Sequence, residues 1–353
     1  MAYNPIEVKT ALTAAVENTQ PSIVGLSALF PNEVVTNSEM VELDGRYNKA
    51  RVAEFVNPEA TPDGTEKLSF KRTPFKLPTL QDLRSITGKD LKDAQFGVNP
   101  YDGTALMDVL ASLIASGISD QRTMFGNGFG RMSVEAAFDG KITVKGKGEN
   151  RVLDFGRPAE LLIDVGAADP IQYWNNTEAN ADSHVDAIIE VMGNYGGAPD
   201  IMIARPDVMQ KFINNSRIEL KLDNRRIEFG GVTFQNLMNT RGMFYYGTYK
   251  GMALYGFSGT YYDKAGTLQK AVPADRVLFA ASNNGNVAQY GDSAATLAEM
   301  LGLSDAITAR DAMNFVSSVY LTENKKEVNI ASYQCCAPMQ SDMGSFGILK
   351  VLA

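Results

Sequence analysis

Between Glu66 and Pro78 the chain runs Glu-Lys-Leu-Ser-Phe-Lys-Arg-Thr-Pro-Phe-Lys-Leu-Pro, alternating polar and apolar side chains with the two-residue period of a strand. Pro74 and Pro78 have no N–H to give to a neighbouring strand, so this segment is restricted to a sheet edge or a projection. The stretch around it, residues 44–92, holds ten Lys/Arg against seven Asp/Glu and is therefore +3, while the whole chain is −8. A two-stranded ribbon is marginal on its own in water. A long hairpin here is expected to lie on another subunit.

Residues 1–43 repeat the theme of a segment without a core. Pro5, Pro21 and Pro31 interrupt them, and Glu7, Glu17, Glu33, Glu39 and Glu42 stand against Lys9 alone. They read as an extended arm with a helical cluster around Ile6 to Val16, ordered by packing on something else. The first residues show no basic region followed by a continuous apolar run, so no secretory signal is expected. The most apolar stretch, Ala105 to Ile118, is broken by Asp108, Ser112 and Ser116 and is too short to span a bilayer. A soluble, intracellular chain is the expectation.

From Gly103 the period changes to that of a helix. Leu106, Leu110, Leu113, Gly117, Gln121 and Met124 share a face as far as Phe125, where Gly126-Asn-Gly-Phe-Gly130 should break or kink the helix before Met132 to Phe138 resumes it. Strands follow at Lys141 to Val144, Val152 to Phe155 and Leu161 to Val165. Ser183 with Asp186 has a capping-box spacing that opens a helix with Val185, Ile188, Ile189 and Met192 on its apolar face, stopped by Gly196-Gly197. Ile201 to Ala204 reads as a buried strand, and Pro206 starts a helix carrying Val208, Met209, Phe212 and Ile213. Further strands are expected at Val232 to Phe234, Met252 to Phe257, Arg276 to Ala280, Phe315 to Leu321 and Glu327 to Cys335. The class is α+β, with an arm and a projection.

The inventory of reactive groups is short. His184, the one histidine among 353 residues, lies between Ser183 and Asp186, but positions so close on one helix start cannot give triad geometry. Gly126 to Arg131 resembles a phosphate loop only superficially, because a helix precedes it and the third glycine comes one position early. Pairs such as Asp90/Asp93 or Asp164/Asp169 are ordinary in a chain with 41 acids, and no zinc or calcium spacing occurs. Cys335-Cys336 lies in a strand pattern, so one side chain is expected in a core and the other outside it. Asn175-Asn-Thr177 and Asn214-Asn-Ser216 fit the glycosylation triplet but have no secretory context. The aromatic run Phe244 to Tyr249, with Tyr255, Phe257, Tyr261 and Tyr262, has too few interleaved cations for single-strand binding and points to core or interface packing. No catalytic, cofactor or metal residue is assigned.

The order of elements is distinctive: arm, Pro-bounded basic ribbon, long helix, strands, an α/β portion and two long terminal strands. It resembles the major capsid proteins of tailed bacteriophages, the Hong Kong 97-type fold, and most of all the lambda-type major head proteins. The resemblance runs through Leu153-Asp-Phe-Gly-Arg157, Ile201-Met-Ile-Ala-Arg-Pro206 with Phe212, and Tyr255-Gly-Phe-Ser-Gly259. It continues through Pro273-Ala-Asp-Arg-Val-Leu-Phe-Ala280 and Gln334-Cys-Cys-Ala-Pro-Met339 to Val351-Leu-Ala353.

That resemblance implies an N-terminal arm at 1–43, an extended β-hairpin loop at 44–92, a peripheral domain at 93–170 and 315–353 with a spine helix, and an axial α/β domain at 171–314. It implies a non-enzymatic shell protein that assembles with itself into homo-pentamers and homo-hexamers, closing an icosahedral head around double-stranded DNA. The implied partners are a decoration or cement protein, a separate scaffold, a portal, and packaged DNA bound without sequence specificity, with no membrane and no cofactor. The location is the virion, with assembly in the host cytoplasm. A +3 ribbon suits a chain whose remainder sums to −11, and an acidic chain does not pin DNA as a basic lining would. Lys67, Lys71 and Lys76 lie where some relatives cross-link, but no acidic catalyst is visible and no cross-link is expected. The alternatives are an encapsulin-like cellular nanocompartment shell, or a soluble α/β enzyme with the aromatic segment as its pocket.

Overall fold

The computed structural model describes residues 26–45, 71–94, 103–219, 242–262, 266–292, 307–322 and 327–353. The expectations for Ile6 to Val16, for the ribbon beyond residue 45 and before 71, and for a strand at Val232 to Phe234 fall outside them. A 3-10 turn at Ser27–Leu29 leads to β1 (Asn32–Val35), and β2 (Met40–Gly45) pairs antiparallel with β3 (Lys71–Lys76) as a two-stranded ribbon. Pro74 faces Glu42 in that ribbon, where its missing N–H costs no inner ladder bond. The root of the ribbon does have a core on its own subunit. Leu43, Phe75 and Leu77 are buried in the main apolar cluster, with the Phe75 ring 5.9 Å from that of Phe155.

The segment expected as one loop divides at this point. β4 (Thr79–Thr87) leaves the ribbon and pairs with a C-terminal strand over nine residues, and α1 (Gly88–Ala94) follows it. Thr87 and Asp90 form a capping box at that helix start: Asp90 accepts from the Thr87 N–H at 2.8 Å, and the Asp90 N–H reaches Thr87 Oγ1 at 3.4 Å.

The helix α2 (Gly103–Asp139) is 37 residues long and uninterrupted, so the break expected at Gly126 to Gly130 is absent. Each glycine costs a helix about 1 kcal/mol against alanine, but packing on both sides of the run outweighs that. Phe125 meets Phe315 edge-on at 5.6 Å, and Phe129 stacks on Tyr290 at 6.0 Å. The small residues let the helix lie close to strands: a Cβ on Gly117 would sit 2.9 Å from Ile330 Cδ1, and one on Gly128 would sit 3.2 Å from Leu80 Cδ1.

Among the remaining elements those expected from the sequence keep their order, and further strands and one short helix that were not expected lie between and after them. β5 (Lys141–Gly146) and β6 (Glu149–Asp154) form a hairpin, then come β7 (Leu162–Asp164), α3 (Ala181–Asn194), β8 (Ile201–Ala204), α4 (Pro206–Ile213) and α5 (Ser216–Glu219). After the next described residue, Gly242, come β9 (Met243–Tyr249), β10 (Met252–Phe257), the small ribbon β11 (Thr260–Tyr262) and β12 (Leu268–Lys270), and β13 (Arg276–Ala280). The chain ends with β14 (Val287–Gly291), β15 (Ile307–Arg310), β16 (Val316–Leu321), β17 (Glu327–Met339) and β18 (Phe346–Lys350).

Two six-stranded sheets organise these strands. The first has the order β1-β14-β17-β16-β15, with β4 also on β17; the second has the order β7-β18-β13-β8-β10-β9. In the second sheet Ile201 and Ile203 point into the main cluster, while Met202 and Ala204 point into a second cluster under α3, α4 and α5. A third, smaller cluster lies between α2 and the first sheet and includes Ile114, Ile118, Ile86 and Ile330. The expected domain ranges do not coincide with the sheets: β14 and β15 belong to the first sheet, and β7 and β18 to the second.

Two local expectations are corrected. α3 begins at Ala181 with Asn180 as its N-cap and no side-chain cap, so Ser183 lies inside the first turn and no capping box forms. Ala181 is fully buried, and the helix starts three residues earlier than the capping box implied. The stop is as expected: Gly196, at φ +79, lets the Gly197 N–H reach Met192 O and its own N–H reach Gly193 O, a Schellman closure. Cys335 and Cys336 are both buried and both free, because β17 at that point has the main cluster on both faces, with β4 and β14 along its edges.

Candidate assembly surfaces

Where α2 meets the first sheet, the contact is polar as well as apolar. Gln121 donates to Asp82 Oδ2 at 3.0 Å and to the Ile330 carbonyl at 3.1 Å, and accepts from the Ser332 hydroxyl at 2.6 Å. Beside it, Arg122 pairs with Asp311 at 2.5 Å, with both side chains less than 10% exposed. Asp311 also accepts the backbone N–H groups of Met313 and Phe315, and the Arg122 guanidinium lies 5.2 Å over the Phe315 ring. Paired groups of this kind favour one register and penalise others, since a slip separates buried partners.

The C-terminal end of α2 is closed by Arg157. Its Nη2 donates to Ala136 O at 2.7 Å, Ala137 O at 2.8 Å and Gln340 Oε1 at 2.9 Å, so it covers carbonyls of the last helical turn, where Ala136 O also takes the Gly140 N–H at 3.1 Å. Burial pulls the guanidinium down to about 9, with Asp139 opposing, so it stays charged at neutral pH and suits the negative end of the helix. Asp154 accepts the Gly156 N–H at 2.8 Å and turns the chain into place. This gives the Leu153 to Arg157 motif a physical role that was not legible as such: it caps the long helix.

A groove of about 270 Å3 separates β1 from the ribbon root, lined by Val34, Val41, Leu43, Val287, Met339 and Asp342 among others. Burial pushes the Asp342 carboxyl up. β1 itself is exposed along its length and, among the described residues, pairs with β14 alone, in parallel. Lys76 lies beside Glu39 at 3.2 Å, and Lys67 is outside the described residues.

None of the chemical candidates comes together as a reactive centre. His184 Nδ1 accepts from Trp174 Nε1 at 3.3 Å, and burial holds its pKa below the ordinary value. Gly126 to Arg131 is helix, Asp90 is a cap, and Asp164 accepts from Lys350, Tyr173 and the Gly166 N–H. Burial pushes the Cys335 thiol up to about 11 and raises Cys336 further, which keeps both protonated. Among the described residues no group of three or more His, Cys, Asp or Glu could hold a metal, and no helix is long and apolar enough to cross a membrane. The aromatic run divides: Tyr249, Tyr255 and Phe257 are core residues, whereas Phe244 and Tyr262 are exposed.

Arg122 and Asp311 were invisible in the sequence, and Gln121 was seen only as a member of the helix face, because the partners are brought together by long-range pairing. Comparison with known proteins adds what the geometry leaves open. No curated protein sequence matches the chain. A chain assigned as the capsid protein of an E. coli CFT073 prophage superposes with a TM-score of 0.69 at 17% identity, over 100% of both chains. The capsid asymmetric unit of cyanophage A-1(L) superposes with a TM-score of 0.57 at 10% identity, covering 93% of this chain and 92% of that one. The fold is thus the Hong Kong 97 type expected from the order of elements. The sequence profile described as phage major capsid protein E matches residues 9–331, which is nearly the whole chain, and so the chain belongs to the family of phage major capsid proteins, with a structural role in the head shell.

Proposed function

We propose that the chain forms homo-pentamers and homo-hexamers that close the icosahedral head of a tailed phage around double-stranded DNA. The observation that carries this reading is the ribbon: its root at Leu43, Phe75 and Leu77 is fixed in the main core, while its two strands have no further sheet partner among the described residues. A ribbon so anchored is positioned to bury itself on a neighbouring subunit. The division of labour follows the two sheets, with the first sheet and α2 in the peripheral domain and the α/β sheet with α3 and α4 in the axial domain. In this reading the residues that precede β2 form the arm and the ribbon of β2 and β3 belongs to the extended loop. A decoration protein, a separate scaffold and a portal are the partners, and assembly takes place in the host cytoplasm.

The test is expression of the chain alone and with its gene neighbours, followed by negative-stain microscopy and sedimentation. Rings or closed shells are expected; a monomer under every condition overturns the reading. Removing residues 50–66 spares Phe75 and Leu77 and should leave a folded chain that no longer closes shells. The second reading, a nanocompartment shell of the same fold, predicts a protein cargo in place of DNA. The soluble-enzyme reading has no cleft of converging reactive groups among the described residues to support it.

A further inference from the structure

Both outer edges of the second sheet hold apolar side chains in water. At the β9 edge Phe244 is 53% exposed, and the β11–β12 ribbon that leaves the same end of the sheet sets Tyr262, 73% exposed, directly opposite Leu268, 55% exposed. The reverse face of that ribbon is used within the chain, since the Arg131 guanidinium lies 5.8 Å over the Tyr261 ring. Successive strand residues point to opposite faces, so Tyr262 and Leu268 look away from the long helix. At the β7 edge Leu162 is 45% exposed, and Ile171, in the turn that follows, is 61% exposed.

Single exposed apolar residues are ordinary, but these stand at opposite ends of one sheet, about 24 Å apart across six strands. The two edges are unlike, and a contact between unlike patches of identical chains is heterologous, which closes into a ring when the rotation suits. Charge fits as well: exposed Lys270 lies beside Leu268 at one edge, and exposed Glu160 precedes β7 at the other. The occupant of each edge is a second copy of this chain, because the two edges are both apolar and carry opposite charges, so each offers what the other needs.

We propose that the β9 edge of one copy packs against the β7 edge of the next, with Phe244, Tyr262 and Leu268 meeting Leu162 and Ile171, and that this unlike contact generates the capsomer ring. The inference rests on the ring-assembly reading above. Its test begins with the double variant Phe244→Cys/Leu162→Cys, assembled and treated with a short bis-maleimide. Cys335 and Cys336 are buried and protonated, so they give little background. Denaturing gels should show a ladder passing the dimer and ending at five and six chains, while either single variant stays monomeric. Phe244→Asp/Tyr262→Asp should keep its far-ultraviolet dichroism and melting temperature while ring yield falls at least tenfold. Normal particles without cross-links, a ladder that stops at the dimer, or full ring yield from the aspartate variant each overturn this contact. A parent chain that forms no rings overturns the assembly reading itself.

Discussion

In the second sheet the strands Ile201–Ala204, Met252–Phe257 and Phe346–Lys350 are apolar at almost every position and covered on both faces. In the first sheet β16 and β17 bury Ser317, Ser318 and Ser332 just as deeply, and the adjoining helix adds Gln121 and Arg122. Apolar burial is non-directional and tolerates small adjustments. A buried polar seam is directional, and its groups are costly to leave without partners. The second sheet is therefore cohesive by composition, whereas the first is specific by pairing. This also puts the specific, easily mismatched contacts where the long helix, the ribbon-derived strand β4 and the C-terminal strand converge.

The contrast predicts different ways to fail. Phe279→Ala, in the fully buried centre of the second sheet, should cost about 4 kcal/mol in urea unfolding of the unassembled chain, by lost transfer energy and a residual cavity. No second polar change should restore it. Arg122→Ala should cost about 3 kcal/mol by leaving the Asp311 carboxylate buried without its cation. Unlike the cavity, that loss should be largely recovered by Arg122→Met/Asp311→Asn, which removes both charges. If the double variant is as unstable as the single one, the seam is not acting through charge.

Gly117→Ala probes the spacing between helix and sheet. The new methyl would stand 2.9 Å from Ile330 Cδ1, so overpacking is expected to offset or exceed the helix-propensity gain of about 1 kcal/mol. In an Ile330→Val background that obstacle is absent, and the same change should stabilise by about 1 kcal/mol relative to Ile330→Val alone. Additive effects would refute the close approach.

The smallest expected effect belongs to His184, on the second sheet's helical side. Its folded pKa is held below the ordinary 6.5, so the neutral ring is favoured by folding. The stability it contributes is complete above 6.5 and is lost as pH falls below that value. Being the sole histidine, it can be followed directly by NMR titration, and a midpoint at or above 6.5 would contradict the burial against Trp174.

The second sheet was also the more legible in the sequence, for the same reason. Runs such as Ile201 to Ala204 followed by Pro206, or Met252 to Phe257, announce strand and helix by local composition. The first sheet depends on partners far along the chain. Nothing near Gly126 to Gly130 says that Phe315 and Tyr290 will flank the helix there, so the local propensity argument gave a break that tertiary packing removes. The Cys335-Cys336 pattern likewise implied one outward face, because the elements that cover both sides of β17 are invisible locally. The assembly edges were half legible: the aromatic run was seen, but which rings face outward depends on strand register.

The pairing of β4 with β17 has a consequence for timing. Thr87 lies opposite Glu327, 240 residues later in the chain, and β1 finds β14 across a similar span. At about 5–20 residues per second of synthesis, β4 waits roughly 12–48 s for its partner to be made. Until then the first sheet cannot close, and the ribbon root that depends on it has no firm base. A newly made subunit can therefore complete this sheet only once its last strands have emerged.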